Sequence, residues 1–135
     1  NEGEFAVDVQ HPVKMAQITD GTSKTMMIGE KYVREDLYAG GSWSDDRGWT
    51  DGWDPDTMRS TCFPAFHDSD QFGFANENMF GVETDVIYFG SAHPGGFNCG
   101  FSDGSVQFVS YDINVVLFNN LGDRRDGEVV DLNGI

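Results

Sequence analysis

The chain has 135 residues, with 23 acidic against 8 basic side chains and a formal net charge of −15. This length fits one domain with a core of its own, so we predict a single domain over residues 1–135. The negative charge repels nucleic acid and anionic membrane surfaces and disfavours both as partners. No apolar run in the sequence approaches the length of a membrane span.

The first part of the chain predicts two strands separated by a turn. Phe5–Val9 alternates apolar and polar residues, which favours a strand, and Ile18–Ser23 contains an Asp-Gly turn. Thr25–Val33 is dense in apolar and β-forming residues on both faces, which predicts a largely buried central strand. Glu30 lies within it, where a carboxylate is costly unless paired. Glu30 therefore either sits at the wet end of the strand or ties down a neighbouring turn.

Residues 35–62 form the least regular part of the sequence, with tryptophans and aspartates interleaved. A long loop with aromatic anchors is typically functional or packed as an Ω-loop. The aspartates supply the hard oxygen ligands that Ca²⁺ prefers, although their spacing differs from an EF-hand, and an exposed acidic loop is the alternative. The tryptophans either anchor the loop or stack on sugars. The residues concerned are Trp43, Trp49, Trp53, Asp45, Asp46, Asp51, Asp54 and Asp56.

The two cysteines, Cys62 and Cys99, permit one disulfide, and buried free thiols are the alternative. A zinc site built from the cysteines with His67 and His93 has no recognisable ligand spacing and is disfavoured. Residues 63–81 continue as a phenylalanine-rich loop, and Val82–Phe89 favours a short strand.

Residues 89–110 predict a tight loop followed by a β-hairpin at about 97–110. Asp103-Gly104 is a favoured two-residue hairpin turn. Counting outward from it pairs Phe101 with Val106 and Cys99 with Phe108. A strand alternates with period two, so this register puts five apolar residues of the two arms on one core-facing side. These residues are Phe97, Cys99, Phe101, Val106 and Phe108.

The C-terminal part predicts one short helix from Ile113 to Leu121, with Asp112 as its N-cap and Gly122 as its stop. Its apolar face is predicted to hold Ile113, Val116, Leu117 and Leu121.

After the helix, Asp126-Gly127 predicts a turn and Glu128–Val130 a last edge strand. The fold class is therefore α+β and β-rich. A small antiparallel sheet forms around the hairpin and the 25–33 strand, with one short C-terminal helix and long loops.

The segment His93-Pro94-Gly95-Gly96 predicts a sharp reversal before the hairpin, because Pro fixes φ and the two glycines permit positive φ. His93 is expected to lock this loop by bonding a backbone carbonyl or Asp103. A catalytic dyad of His93 with Cys99 or Asp103 is disfavoured, because Cys99 is predicted to face the core, where a thiol is inert. The sequence carries no nucleophile elbow, HExxH, Walker loop or dinucleotide glycine pattern.

Three segments also carry a resemblance to a known family. His93 is followed by nine residues and then Asp103-Gly104, which resembles the H-x9-DG signature of a large bacterial family of prepilin-type proteins with a domain of unknown function. Residues 18–30 resemble the ITDGTS…GE segment of that family, and Gly127–Val130 resembles its terminal GE-V-V. The resemblance covers residues 15–34 and 86–130.

The resemblance implies a pseudopilin-like headgroup of a type II secretion or type IV pilus-like system, exported to the periplasm or cell surface. Attachment to the membrane and assembly run through an N-terminal helix absent from this chain, so we expect the C-terminal headgroup region of a longer precursor. The implied partners are proteins of the cell envelope, the rest of the precursor or copies of the chain itself. The structural signature comprises His93, Pro94, Gly95, Gly96, Asp103 and Gly104.

The expected function is therefore non-enzymatic, in structure or assembly, with no certain cofactor. The alternative is an extracellular Ca²⁺-dependent module that binds a ligand or carbohydrate through residues 43–56.

Overall fold

The computed structural model describes residues 13–42, 45–48, 50, 54, 56–70, 87–128, 130–132 and 135. Within these residues the fold is α+β, as predicted, with a small antiparallel sheet, one α-helix and two short 3₁₀ helices. The 3₁₀ helices span Met15–Gln17 and Glu35–Leu37. The strands are β1 (Met26–Gly29), β2 (Phe66–His67), β3 (Gly90–Ser91), β4 (Gly96–Phe101) and β5 (Val106–Ser110), and the helix is α1 (Val115–Gly122).

The three-stranded sheet has the order β1-β4-β5, and both pairings are antiparallel. β2 and β3 form a separate parallel pair. β1 therefore lies at an edge of the sheet formed by the described residues, and the side chains of Met27 and Ile28 are exposed. The predicted buried central strand over Thr25–Val33 is wrong, because the chain leaves β4 after Gly29 and pairs elsewhere.

The hairpin of β4 and β5 is present where it was predicted, but its register differs by one residue. Phe101 N donates to Ser105 O at 2.9 Å, and Gly104 N donates to Phe101 O at 2.9 Å. These bonds leave three residues in the loop, with Gly104 at φ +87°. The loop is thus the three-residue kind that ends in a left-handed residue, rather than a two-residue turn.

This one-residue shift exchanges the two faces of β5. The observed partners are Gly100 with Val106, Asn98 with Phe108 and Phe97 with Val109. Val106 and Phe108 are consequently 67% and 48% exposed, and Val109 is the residue of β5 that enters the core. The prediction that Val106 and Phe108 face the core is wrong, because a slip of one position turns every side chain of a strand to the other side.

The first arm of the hairpin faces the core as predicted. Phe97, Cys99 and Phe101 are all buried. The Phe97 ring stacks on Phe89 with ring centroids 5.9 Å apart and meets Phe118 edge-on at 5.8 Å. These aromatic contacts join the sheet to α1.

Helix α1 begins at Val115, two residues later than predicted, because Asn114 rather than Asp112 is its N-cap. Asn114 Oδ1 accepts from Val116 N at 2.9 Å and from Leu117 N at 3.3 Å. Phe118 and Leu121 provide the buried face, whereas Val116 is exposed.

Gly122 is the last helical residue rather than a stop beyond the helix. A Cβ added there would lie 2.1 Å from Thr61 Oγ1, so close packing against Thr61 requires the glycine.

The predicted last edge strand is not formed at its described residues. Glu128 and Val130 lie in irregular structure, because Asp126 Oδ1 accepts from Glu128 N and forms a turn there. No helix in the described ranges is both long and apolar enough to cross a membrane.

Some predictions concern residues outside the described ranges. They are the strand Phe5–Val9, residues 82–86 of the strand Val82–Phe89, and residues Trp43, Trp49, Trp53, Asp51 and Val129.

Candidate functional site

The backbone changes pairing partner at Glu30. Up to Gly29 the chain pairs with β4, and Glu30 N still donates to Asn98 O at 3.1 Å. The carbonyl of Glu30 instead accepts from Gly90 N at 3.1 Å, and the next residue forms a bridge with Phe89. Glu30 is therefore the residue at which the strand leaves the sheet.

The side chain of Glu30 repairs the hydrogen bonding that this departure interrupts. A regular antiparallel ladder would satisfy Asn98 N with a backbone carbonyl of the neighbouring strand. Here Glu30 Oε2 accepts from Asn98 N at 2.7 Å and from Asn98 Nδ2 at 3.1 Å. Both expectations for Glu30 are met: it follows the last residue of β1 with a partly exposed side chain, and its carboxylate ties down the neighbouring turn through His93.

The other carboxylate oxygen of Glu30 holds the signature histidine. His93 Nε2 lies 3.1 Å from Glu30 Oε1, so the partner of His93 is Glu30 rather than Asp103 or a backbone carbonyl. The two side chains are 53% and 38% exposed, which places their pairing near the surface, where ion pairs contribute little.

Asp103 serves its own turn. Its Oδ1 accepts from Ser105 N at 2.9 Å and from Ser105 Oγ at 2.7 Å, and these bonds hold the pKa of Asp103 below its usual range. The two ends of the signature are thus held by different partners.

The loop between β3 and β4 is held from inside by a serine that sequence reasoning missed. The buried Ser91 Oγ donates to Gly96 O at 3.0 Å and accepts from His93 N at 3.0 Å. The hydroxyl of Tyr111 lies 3.0 Å from Ser91 O, and burial raises its pKa. No sequence pattern marks Ser91 or Tyr111, because their partners are backbone atoms around the loop and each other's hydroxyl, 3.1 Å apart.

The two glycines of the signature have different roles. Gly95 has φ +86°, as the predicted reversal requires. Gly96 is not among the residues with positive φ; a Cβ there would lie 2.1 Å from Val109 O. Gly96 is therefore needed for the close approach of β5, and the predicted positive φ applies only to Gly95.

Asp20 is a second structural carboxylate, and the sequence did not mark it. It joins the ITDGTS…GE segment to the C-terminal segment Gly127–Val130. Asp20 is buried, and its two oxygens accept from Asp126 N at 2.9 Å and from Gly127 N at 3.1 Å. The same segment reaches the hairpin turn, because Thr22 O accepts from Asp103 N at 3.0 Å. All the segments that carry the resemblance are thus joined by hydrogen bonds.

A comparison with family models matches residues 2–115 to the family described as protein of unknown function (DUF1559). The chain belongs to this family. The match includes Asp20, Glu30, His93 and Asp103 and ends before the C-terminal tail. No curated protein and no solved structure matches the chain.

The thiols of this DUF1559 chain are both free, so the disulfide between Cys62 and Cys99 is not formed. Cys99 is buried as predicted, and desolvation raises its pKa to about 11. A protonated thiol is a poor nucleophile, so burial makes Cys99 unsuited to a dyad with His93.

A third carboxylate, Asp68, holds the connection after β1 in the DUF1559 fold. Asp68 is buried; its Oδ1 accepts from Val33 N at 3.1 Å, and its Oδ2 accepts from Tyr38 OH at 2.5 Å. That bond to a carboxylate raises the pKa of Tyr38 to about 12. Asp68, like Glu30 and Asp20, accepts a backbone N–H at a point where the chain changes direction.

The acidic loop of the DUF1559 chain is partly neutralised by Lys31 and Arg47. Lys31 forms an ion pair with Asp45 and donates to Asp56 O at 3.1 Å. Asp54 Oδ1 accepts from Asp56 N at 3.1 Å, and Asp46 lies 3.9 Å from the Arg47 side chain.

Asp56 is 4% exposed, and its Oδ2 accepts from Arg47 N. Its Oδ1 is buried and finds no hydrogen-bond donor among the described residues. Within the same residues, no group of three histidine, cysteine or acidic side chains is arranged to hold a metal ion.

Proposed function

We propose that this chain is the headgroup region of an exported, pseudopilin-like protein with a structural or assembly role rather than an enzymatic one. The observation that carries the proposal is the bonding of the Glu30 carboxylate: one oxygen binds His93 and the other binds Asn98. In a catalytic dyad built from the signature, His93 would be the general base. In this structure its side chain instead binds Glu30 and holds the loop before β4. Asp103 is likewise engaged in its own turn.

The order of the hydrogen-bonded segments supports the same proposal. The ITDGTS…GE segment contacts the hairpin turn through Thr22, the loop after β3 through Glu30 and the tail through Asp20. Hydrogen bonds between these segments would hold them in one arrangement, which an assembly subunit needs in order to present a constant surface. The headgroup would act in the periplasm or at the cell surface, with envelope proteins, the rest of its precursor or copies of itself as partners.

The test uses the full-length precursor, tagged at its C-terminus and expressed in its own host. Cell fractionation, crosslinking with pull-down, and electron microscopy of the envelope fraction would follow the wild type and the Glu30→Ala and Glu35→Ala variants. Recovery in the envelope fraction with a crosslinked partner, reduced in Glu30→Ala and retained in the exposed-acid control, supports the proposal. A cytoplasmic monomer without assembly or envelope partner overturns it.

The second candidate function is a Ca²⁺-dependent module that binds a ligand or carbohydrate through residues 43–56, and one observation favours it. The buried Oδ1 of Asp56 lacks a hydrogen-bond donor among the described residues. A buried carboxylate oxygen without a donor is costly, and a hard cation would satisfy it. The other carboxylates of the candidate set in the sequence are Asp45, Asp46, Asp51 and Asp54.

Calorimetry separates the two candidates. Ca²⁺ added to the wild type should release or absorb heat and raise the melting temperature if the module binds the ion. Asp51→Ala and Asp54→Ala should remove both effects, whereas Asp36→Ala, outside residues 43–56, should leave them unchanged. Absence of heat and of any rise in melting temperature removes this candidate.

A further inference from the structure

A cleft lined by methionines lies between the first 3₁₀ helix, β1 and the end of α1. Its volume is about 730 Å³, which falls within the range of roughly 300–1,000 Å³ typical of small-molecule sites. Every methionine in the described part of the chain lines it: Met15, Met26, Met27 and Met58. Methionine side chains are flexible and polarisable, so they adapt to the shape of an apolar ligand.

The rim of this methionine cleft is basic, although the chain as a whole is strongly acidic. Arg124 and Arg125 line the cleft, and Arg59 lines a smaller adjoining cavity of about 240 Å³ that shares Met26 and Met27. Asp123 is the one acidic side chain among the described lining residues, and its Oδ1 accepts from Arg125 N at 2.9 Å.

Arg124 is held in position by its backbone while part of its side chain stays unsatisfied. Its carbonyl accepts from Thr19 N at 2.9 Å, and Asp20 fixes the residues that follow. Its Nε is buried and has no hydrogen-bond partner among the described residues. A buried donor without a partner is unfavourable, and a carboxylate matches the planar guanidinium geometry.

We propose that the methionine cleft binds a linear apolar monocarboxylate, with its alkyl chain against Met15, Met26 and Met27 and its carboxylate on Arg124. The apolar wall selects an alkyl chain, and the guanidinium of Arg124, whose Nε has no partner among the described residues, selects an anion. The net charge of −15 repels polyanions, so a singly charged carboxylate fits better than a phosphate.

Decanoate and decanol, which share an alkyl chain and differ in charge, are the probes. By calorimetry, decanoate should bind the wild type more tightly than decanol. Arg124→Gln should weaken decanoate binding about ten- to one hundred-fold, the effect of a lost charge-assisted hydrogen bond, and leave decanol unchanged. Arg34→Gln, whose guanidinium pairs with Asp36 outside the cleft, should bind decanoate like the wild type.

A second pair of variants tests the apolar wall without disturbing the core. Met27 and Val106 are both exposed, at 66% and 67%, but only Met27 lines the cleft. Met27→Glu should abolish decanoate binding with little change in melting temperature, and Val106→Glu should retain it. Equal binding of decanoate and decanol, an Arg124→Gln affinity equal to wild type, or full binding by Met27→Glu overturns the proposal.

Discussion

Replacing Glu30 with alanine removes the carboxylate at the point where β1 leaves the sheet. The substitution leaves Asn98 N without the acceptor that it has at 2.7 Å and Asn98 Nδ2 without the one at 3.1 Å. It also releases His93, whose Nε2 lies 3.1 Å from the other oxygen. The loop before β4 then loses its tie to β1.

The expected loss of stability follows from these three contacts. A hydrogen bond to a charged acceptor contributes about 1.5–3 kcal/mol, and the partly exposed pairing with His93 adds about 0–1 kcal/mol. Asn98 is only partly buried, so water recovers part of the loss. We expect Glu30→Ala to lower the free energy of unfolding by about 3 kcal/mol, or the melting temperature by roughly 10 °C for a chain of this size.

The assay is urea unfolding at neutral pH, followed by circular dichroism. Glu30→Gln keeps one acceptor oxygen for Asn98 N and should lose about 1 kcal/mol. Glu35→Ala, which removes an exposed acid from the second 3₁₀ helix, should change stability by less than about 0.5 kcal/mol. A Glu30→Ala midpoint equal to that of Glu35→Ala would refute the structural role of this carboxylate.

The remaining predictions concern the tail, the turn and the thiols. Asp20→Ala, which leaves two backbone N–H donors of the tail turn unsatisfied, should cost about 2–4 kcal/mol in urea unfolding; a loss below 0.5 kcal/mol would contradict that role. Gly104→Ala should cost about 1–2 kcal/mol because φ is +87°, while Gly48→Ala, where a Cβ meets little, should cost less. Ellman's reagent at pH 8 should modify Cys62 in the native protein and Cys99 only after unfolding. Because folding raises the pKa of Cys99 to about 11, the unfolded thiol ionises first, so stability should fall as pH rises from about 9 to 11 by up to about 1.4 kcal/mol per pH unit. Cys99→Ala should reduce the slope between pH 9 and 10, below the range in which the raised pKa values of Tyr38 and Tyr111 also lower stability; an unchanged slope there would contradict the assignment.

The hairpin shows both the reach and the limit of the sequence pattern. Alternation correctly gave the core face of β4, because Phe97, Cys99 and Phe101 form an unbroken period-two series. The face of β5 depended on the turn length, and Asp103-Gly104 is compatible with either two or three loop residues. The bond from Phe101 N to Ser105 O decides between them, and sequence does not encode that choice by itself.

Local sequence patterns did not determine the start of the helix or the partners of the site residues. Asn114 and Asp112 are both good N-caps, so local propensity could not fix the start of α1. Glu30 stood out because a carboxylate interrupts an apolar stretch, and its role as a tie was one of two predicted alternatives. Its partner His93 was not predicted, because it lies 63 positions away in sequence. Asp20 was missed because an Asp-Gly turn explains it locally without reference to the tail.

Amide hydrogen exchange of Asn98, measured by NMR in the wild type and in Glu30→Ala, tests the central claim most directly. The claim is that the Glu30 carboxylate replaces the missing strand partner of Asn98 N and, through His93, holds the loop of the signature in place. Exchange at Asn98 should accelerate about ten- to one hundred-fold more than at Phe101, whose amide donates to Ser105 O at 2.9 Å and serves as the reference. An Asn98 amide whose exchange is unchanged, or accelerates only as much as that of Phe101, would contradict the account.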